Sequence, residues 1–388
     1  MTSWACDRCT LENLGATCDA CGAVRPKRVR TGHTWDCRRC TCTNEGRALA
    51  CSACGELHFS LPLPPLCYGV EFEFVLINAA GWDLADLAAV LTNADVHCKF
   101  EGYTHRVTRH WKVVPDRSVS GSGPNDLSFE LVSPILSSET GFDEIVRALH
   151  VVNDWLGVGI NQTTGFHVHV DGAELSTEQL RKIVACFCKY ESAIDALIAD
   201  KTRQGVSNTY ARSNRAAFGL ASSAQRNENI FRTRDLSELI AQANPGRDRY
   251  YKLNLTPMES RRESPTIEFR SHGGTVSAAT ACCWVRLLLH FVHNAAHKPR
   301  CTEFPEGKST RSVELAHLFG EEVHDDTLRH HFVGVGGPAH SLPTNVVPSA
   351  VVPQPDVDAR PWVCTRCGRS FATSRQLMQH RDAKGHTE

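Results

Sequence analysis

Ionisable and apolar residues alternate in the segment TGFHVHVDG, which covers residues 164–172. His167 and His169 fall on one side of an extended strand, and Phe166 and Val168 fall on the other, because successive strand residues point to opposite faces. Residues two apart stand together, roughly 7 Å apart along the strand. The pattern predicts a strand with an apolar face and a face of metal or phosphate ligands. The alternative is a half-exposed strand whose histidines face water.

Three further segments repeat this alternation with acidic residues. Surface strands usually carry mixed polar residues such as Thr, so pairs of ionisable groups backed by aromatic residues indicate a functional face. The ionisable residues expected on that face are Glu71 and Glu73 of YGVEFEFVL, Glu130 of DLSFELVSPIL, and Glu268, Arg270 and His272 of SPTIEFRSHGG.

If these strands are neighbours in one sheet, several carboxylates crowd one face. Like charges at such a separation do not all stay ionised without a cation between them, so the pattern predicts metal. Oxygen-rich sites with one imidazole suit Mg²⁺ or Mn²⁺ better than Zn²⁺ or copper. Mg²⁺ keeps open positions for phosphates, and an arginine is the usual partner of a transferred phosphoryl group, a role for which Arg270 is placed.

The composition is that of a chain folded in a reducing compartment. The 388 residues carry a net charge of −1, and ten of the 18 cysteines fall in zinc-ligand spacings rather than in a disulfide pattern. The most hydrophobic stretch is interrupted by Arg286 and His290, and the N-terminus has no apolar signal segment. We therefore expect an intracellular protein of the cytoplasm or nucleus, with no membrane partner.

An internal repeat occupies the N-terminal region. Residues 1–25 and 32–58 each contain W-x-C-x2-C-x3-N followed by C-x2-C-G, and four cysteines in two pairs build a tetrahedral zinc site. The repeats resemble the Ran-binding (nucleoporin) type of zinc finger, although the first has a shortened loop. The expected ligands are Cys6, Cys9, Cys18 and Cys21 in the first module, and Cys37, Cys40, Cys51 and Cys54 in the second.

Members of this finger type bind ubiquitin or single-stranded RNA. Thr10, Leu11, Thr41 and Cys42 stand where ubiquitin-binding members carry Thr-Phe, and Arg47 alone falls in the loop where RNA-binding members carry paired arginines. The resemblance implies ubiquitin or another protein ahead of RNA as partner, with a purely structural role as the alternative.

The central region begins after a proline-rich linker, residues 59–66, and extends over residues 67–332. Its helical patterns include a capping box at Ser176 and Gln179 and a helix near 277–297. An apolar stripe expected to face the core consists of Phe142, Ile145, Val146, Leu149 and Val152.

The C-terminal region consists of a flexible linker over residues 333–361 and a Cys2His2 zinc finger over residues 362–388. The spacing C-x2-C-x12-H-x5-H assigns a third structural zinc site, because two cysteines and two histidines complete a tetrahedron. Double-stranded RNA or protein is the expected partner of such a finger, and a structural spacer is the alternative. The ligands are Cys364, Cys367, His380 and His386.

Taken in order, YGVEFEFVL, FELVSPIL, TGFHVHVDG and TIEFRSHGGT resemble the amidoligase family of carboxylate-amine ligases, which is related to glutamine synthetase and glutamate-cysteine ligase. The resemblance covers roughly residues 67–300. It implies an α+β fold with a glutamine-synthetase-like, largely antiparallel sheet and packed helices, flanked by the zinc modules.

The resemblance also implies roles for individual residues. Glu71 and Glu73 would bind different ions, with Glu130, Glu268 and His167 completing the metal ligands. His169 and Arg270 would lie beside the phosphates of the nucleotide, and Asp116 would bind nucleotide or amine. Arg212, Arg215 and Asn254 are further polar candidates.

The implied activity is amide formation that depends on ATP and Mg²⁺ and proceeds through an acyl phosphate. Zinc modules on an enzyme favour a protein or peptide substrate. Two alternatives remain at this point: a non-catalytic adaptor that binds ubiquitin, other protein or RNA, and a cupin-like metal oxygenase built on His167, His169 and Glu174.

Overall fold

In a computed structural model the chain divides into two compact units, the larger one Phe59–His340. Four two-residue strands are assigned outside the ranges described in full: Trp4–Ala5 (β1), Glu12–Asn13 (β2), Trp362–Val363 and Ser370–Phe371. The structure describes residues 34–37, 40–45, 48, 50–53, 56–59, 61–102, 104, 106–206, 208–219, 222–259, 264–302, 304 and 310–333.

Within the smaller unit, the described residues form a hairpin. Strands Thr34–Asp36 (β3) and Thr43–Glu45 (β4) pair antiparallel. The indole Nε1 of Trp35 donates to the carbonyl oxygen of Ala48 at 3.0 Å, and its ring stacks on His58 with centroids 4.3 Å apart. An aromatic side chain thus ties the hairpin to the segment after it.

The larger unit is built on a seven-stranded sheet with the order β10, β11, β9, β5, β8, β7, β6. Neighbouring strands are antiparallel except for the parallel pair of β6 and β7, which confirms the expected largely antiparallel α+β arrangement. The strands are Tyr68–Leu76 (β5), Cys98–Phe100 (β6), Trp111–Pro115 (β7), Leu127–Val132 (β8), Gly165–Asp171 (β9), Leu253–Asn254 (β10) and Thr266–Gly273 (β11).

Nine α-helices are described. Ser176 and Gln179 form the expected capping box before the third helix, and Ser277 caps the seventh, because hydroxyl groups satisfy the first free N–H groups of a helix. None of the helices in the described ranges has the length and apolar character to cross a membrane. The helices are Leu84–Asn93 (α1), Ser138–His150 (α2), Thr177–Ala196 (α3), Asn214–Ala217 (α4), Ser223–Arg232 (α5), Leu236–Ala243 (α6), Ala278–His297 (α7), Arg311–His317 (α8) and Asp326–Val333 (α9).

The apolar face of the sheet forms the core. Phe72 stacks on Phe166 with ring centroids 4.6 Å apart, and both side chains are fully buried. Phe269 contacts Phe187 of α3 and Phe291 of α7 across this face. Burying such a side chain stabilises the fold by about 1.5–3 kcal/mol. Because helices cover this face, the ionisable residues of the same strands lie on the opposite one.

Two expectations about individual positions need correction. Val146 of α2 does not face the core but is 42% exposed, whereas Ile145 and Leu149 are fully buried, because the helix presents a narrower stripe to the sheet than the sequence pattern suggested. The segment expected to be a linker makes contacts inside the larger unit. Arg286 of α7 donates to the carbonyl oxygen of Leu61 at 3.1 Å, and its guanidinium lies 4.1 Å from the ring of Phe59.

Candidate active site

Four central strands bring the predicted acidic and imidazole groups onto one face of the sheet. The register sets Glu73 opposite Glu130 and Glu71 opposite His167. On the other side of β9, Glu268 lies opposite His169. Directly opposite residues have Cβ atoms about 4.5–5.5 Å apart, so each pair is close enough for its side chains to meet.

The histidines lie among the carboxylates. His167 Nδ1 is 3.4 Å from Glu71 Oε2, and His167 Nε2 is 3.7 Å from Glu73 Oε1. His169 Nε2 is 3.2 Å from Glu71 Oε1, while His169 Nδ1 is 3.0 Å from the hydroxyl of Thr266. Glu71 is therefore shared by both imidazoles, and Glu73 faces only one of them.

Three adjoining groups of side chains could each hold a cation. The ligand atoms within each group lie within 4.8 Å of one another. Glu71 belongs to two groups and Glu130 to two, so the groups form one continuous cluster. They are Glu71, Glu130 and His167; Glu71, His169 and Glu268; and Glu73, Asp116 and Glu130.

The electrostatics of this cluster are those of carboxylates that lack a compensating cation. Burial raises the pKa of Glu130, and the nearby Glu71 and Glu73 raise it further, so that it lies well above its ordinary value. Burial also raises the pKa of Glu71, but the positive charge of His169 and the bond to His167 outweigh it, and the net pKa is well below the ordinary value. Neighbouring acids thus have opposite shifts because Glu71 interacts most strongly with the two histidines, whereas the charges that act on Glu130 are other carboxylates.

The donor set fits a hard divalent cation. Carboxylate oxygens with an imidazole match the ligand preference of Mg²⁺ or Mn²⁺. Within the described residues, the buried Nε2 of His169 makes no well-aligned hydrogen bond although it points at Glu71. His169 therefore joins the candidate ligands beside its expected place near phosphates, because its ligand atom lies in one group with those of Glu71 and Glu268.

Arg270 and Asn254 fix the position of Glu268. Arg270 forms an ion pair with Glu268, and the side-chain amide of Asn254 donates to Glu268 Oε2 at 2.6 Å. Arg270 Nη1 also lies 3.5 Å from His167 Nδ1. Burial lowers the pKa of Arg270, but Glu268 more than restores it, so the guanidinium stays charged at the edge of the cluster.

His272 does not share the face of Glu268 and Arg270 as the alternation predicted. The pairing of β11 with β9 shifts between Phe269 and His272, and the extra residue of this bulge turns the following side chains over. His272 therefore contacts Phe166 edge-on at 5.5 Å and Trp284 at 5.1 Å in the core. Burial lowers its pKa to about 4, so it is neutral there.

The remaining polar candidates separate into one inside the cluster and three outside it. Asp116 accepts hydrogen bonds from the backbone N–H and the hydroxyl of Ser118, both at 2.7 Å, while it faces Glu73 and Glu130. Outside the cluster lie Arg212, which pairs with Asp248, Arg215, which donates to carbonyl oxygens of α3, and Glu174, which is exposed in the turn after β9.

Sequence patterns did not identify Arg203 or Gly165. Arg203 ends a short 3-10 turn, Lys201–Arg203, and is buried beside Glu73, a position that no periodicity indicates. The backbone N–H of Gly165 donates to Glu73 Oε2 at 2.5 Å. The glycine preceding a ligand-bearing strand was the one available signal, since glycine in a strand often marks a close approach.

Part of the second cysteine module is also visible. Ligand atoms of Cys37, Cys40 and Cys51 lie within 4.8 Å of one another, with the sulfur atoms of Cys40 and Cys51 3.4 Å apart. Three clustered thiols fit a small zinc module with one further ligand. The other predicted zinc ligands, Cys54 and those of the first and C-terminal fingers, lie outside the described residues.

The chain is similar to one protein family and to a solved structure. A family model described as "Putative amidoligase enzyme" matches residues 64–292. A crystal structure of a bifunctional glutathione synthetase from Pasteurella multocida is similar with 11% sequence identity and a TM-score of 0.35. The match covers 67% of this chain and 41% of that chain, so this chain spans less than half of that protein. No curated protein sequence matches.

Proposed function

Because the chain belongs to the amidoligase family, we propose that it is an ATP- and Mg²⁺-dependent carboxylate-amine ligase whose active site is the carboxylate and histidine cluster of the sheet. One observation carries this proposal. Residues 71, 130, 167 and 268 are far apart in the chain, yet their ligand atoms meet in adjoining groups within 4.8 Å. The cluster lies inside the matched residues 64–292.

The proposed reaction has two steps. An oxygen of the substrate carboxylate attacks the γ-phosphorus of ATP, the bond to the β–γ bridging oxygen breaks, and ADP leaves with that electron pair. The amine nitrogen then attacks the carbonyl carbon of the acyl phosphate. Phosphate departs with the C–O bond electrons, and the nitrogen loses a proton to give the amide.

Mg²⁺ or Mn²⁺ would be held by Glu71, Glu73, Glu130, His167 and Glu268, with Asp116 and His169 as further candidate ligands. When bound, the cation supplies positive charge that neutralises the phosphate oxygens and makes the γ-phosphorus easier to attack. In the chain itself, burial and then repulsion from Glu71 and Glu73 raise the pKa of Glu130 well above its ordinary value. Cation binding therefore assembles the site and relieves this repulsion together.

Arg270 and His169 would contact the nucleotide phosphates. Arg270 is buried, stays charged and is held by Glu268, which orients its guanidinium beside His167. A preorganised guanidinium stabilises charge that develops during phosphoryl transfer. His169 is half-buried at the edge of the cluster, where its imidazole reaches both Glu71 and Glu268.

The substrate that carries the carboxylate is a protein or peptide in this proposal, and ubiquitin, a ubiquitin-like protein or RNA is the candidate partner of the cysteine modules. The clustered thiols of Cys37, Cys40 and Cys51 support a zinc-bound recognition module ahead of the ligase unit. Pull-down of ubiquitin and of RNA with the full chain, before and after zinc chelation, tests whether the cysteine modules bind either partner and whether they need zinc to do so. Retention of neither partner removes the reason for a macromolecular substrate.

Hydroxylamine tests the activity directly, because it captures an acyl phosphate as a hydroxamate. Wild-type protein with Mg-ATP and candidate peptides should form hydroxamate and ADP in equal amounts. Glu268→Ala should form neither, whereas Arg234→Gln should match wild type, since Arg234 is 83% exposed and pairs only with Glu238 in the described structure.

Two results would contradict the proposal. Equal ADP formation by wild type and Glu268→Ala places the ATP turnover elsewhere. Absence of both thermal stabilisation by Mg-ATP and ATP turnover supports the adaptor function instead. The oxygenase alternative loses its third ligand, because Glu174 is exposed and belongs to none of the ligand groups among the described residues.

A further inference from the structure

A narrow pocket, partly open to solvent and with about 10 Å³ of water-accessible space, adjoins the cluster at Glu73. Its walls combine one carboxylate, the imidazole of His167, two guanidinium groups and three hydroxyl-bearing side chains. The hydroxyls belong to Ser118, Thr163 and Tyr210, and the guanidinium groups to Arg203 and Arg270. Such a mixture suits a small, charged, hydrogen-bonding ligand more than an apolar one.

Both arginines have hydrogen-bonding capacity left over. Arg203 is 2% exposed and Arg270 is 7% exposed. Arg203 Nη2 donates to the carbonyl oxygen of Thr164 at 2.9 Å, but Nε of each arginine is buried without a hydrogen-bond partner in the described part of the chain. Guanidinium groups stay charged in proteins, and buried charge is costly unless it is paired. Arg270 is paired with Glu268 and Arg203 lies beside Glu73, so the capacity that remains is the unbonded Nε of each, which can donate to an oxyanion.

Gly165 allows this convergence. A Cβ atom at that position would lie 2.7 Å from His167 Nε2, 3.0 Å from Glu73 Oε2 and 3.3 Å from Arg203 Nη2. Any side chain would thus displace a metal-ligand candidate or the guanidinium. Glycine at position 165 therefore leaves room for Arg203 beside the metal-ligand candidates.

Buried ionic contacts hold the turn that carries Arg203. Lys252 Nζ donates to Asp195 Oδ2 at 2.6 Å and to the carbonyl oxygen of Gly205 at 2.8 Å. The N–H of Gly205 donates to the same carboxylate at 2.8 Å. Lys252 is fully buried, so these bonds are shielded from water and anchor the turn to α3. Arg203 is consequently presented to the pocket in one orientation.

We propose that Arg203 and Arg270 bind an oxyanion of the reactants in this pocket, either the substrate carboxylate or the terminal phosphate of the nucleotide. The inference rests on the proposed function and adds the residue that binds the anion.

Calorimetric titration of three probes tests the inference: sodium glutarate, inorganic phosphate and Mg-ATP, at constant ionic strength. Arg203→Gln should lower the affinity for glutarate or phosphate by about tenfold or more, as expected when a charged hydrogen bond is lost. Unchanged Mg-ATP affinity identifies the carboxylate as the anion, and a matching loss identifies the terminal phosphate. Arg203→Lys should recover part of the affinity, since it keeps the charge without the fork.

Arg234→Gln is the matched control and should bind all three probes as wild type does. The inference is overturned if wild type binds neither glutarate nor phosphate, or if folded Arg203→Gln binds both unchanged. Should the Gln variant not fold, Arg203→Lys decides by the same criteria, with circular dichroism reporting the fold. Failure of wild type to bind Mg-ATP contradicts the proposed function instead, so the two failures are distinguishable.

Discussion

The same strands form both faces of the central sheet, but burial of apolar side chains dominates one face and interaction of charged groups dominates the other. On the covered face, Phe72, Phe74 and Phe166 are fully buried against one another and the helices. On the other face, Glu71 and Glu73, their immediate neighbours in β5, meet histidines and further acids. One face gains stability from exclusion of water, whereas the other accumulates like charge that opposes folding until a cation binds.

Different residues of one strand therefore carry stability and function. Phe72 and Phe74 of β5 should control unfolding, and Glu71 and Glu73 should control ion binding and chemistry. This division would be contradicted if substitution of the phenylalanines mainly changed ion binding, or if substitution of the glutamates mainly lowered stability.

The largest effect on stability is expected on the covered face. Phe166→Ala should lower the free energy of unfolding by about 3–5 kcal/mol, because it leaves a cavity against Phe72. Urea unfolding measures the loss, and Val146→Ala at an exposed position should stay within about 0.5 kcal/mol of wild type. A loss below about 1 kcal/mol at Phe166 would contradict the assignment of this face as the core.

Glu130→Gln should give the opposite combination. We expect loss of ligase turnover by at least ~100-fold, since even outer partners of metal ligands cost up to that factor. In metal-free buffer, removal of the repulsion from Glu71 and Glu73 should leave the variant at least as stable as wild type. Thermal unfolding with and without Mg²⁺ measures the stability of the variant. A variant less stable than wild type in metal-free buffer would contradict the expected relief of repulsion.

The covered side also predicts a pH dependence of stability. Burial lowers the pKa of His290 and of His331 from 6.5 to about 4. Since the unfolded chain binds protons near pH 6.5 and the folded chain does not, stability is full above that pH and falls as the pH drops towards 4. His290→Gln should reduce this slope by ~1.4 kcal/mol per pH unit, measured by urea unfolding between pH 6.5 and 4. An unchanged slope would mean that His290 is protonated in the folded chain.

The smallest effect is expected at the bulge. His272→Phe should change stability by less than about 1.5 kcal/mol, because an aromatic ring of similar volume remains against Phe166 and Trp284. Ligase turnover should stay close to wild type. If turnover instead fell as far as in Glu268→Ala, His272 would belong to the functional face and the bulge would be misplaced.

Much of the sheet could be predicted from local patterns. Alternation with period two identified β5, β8, β9 and β11 and assigned Glu71, His167 and Glu268 to one face, because side-chain direction in a strand depends only on position parity. The capping box at Ser176 was equally local. Parity fails after an extra residue, and the bulge in β11 therefore reversed the side of His272.

The sequence by itself determined the types of the chemical groups, their spacing within each strand and the hard-cation character of the donor set. Only the tertiary structure decided that Glu71 and Glu130 are each shared by two ligand groups, that Asp116 joins Glu73, and that Arg203 reaches the site from a turn. The physical reason is that strand periodicity is a short-range property. Cross-strand register and the placement of turns result from packing among segments up to two hundred residues apart, such as Glu71 and Glu268.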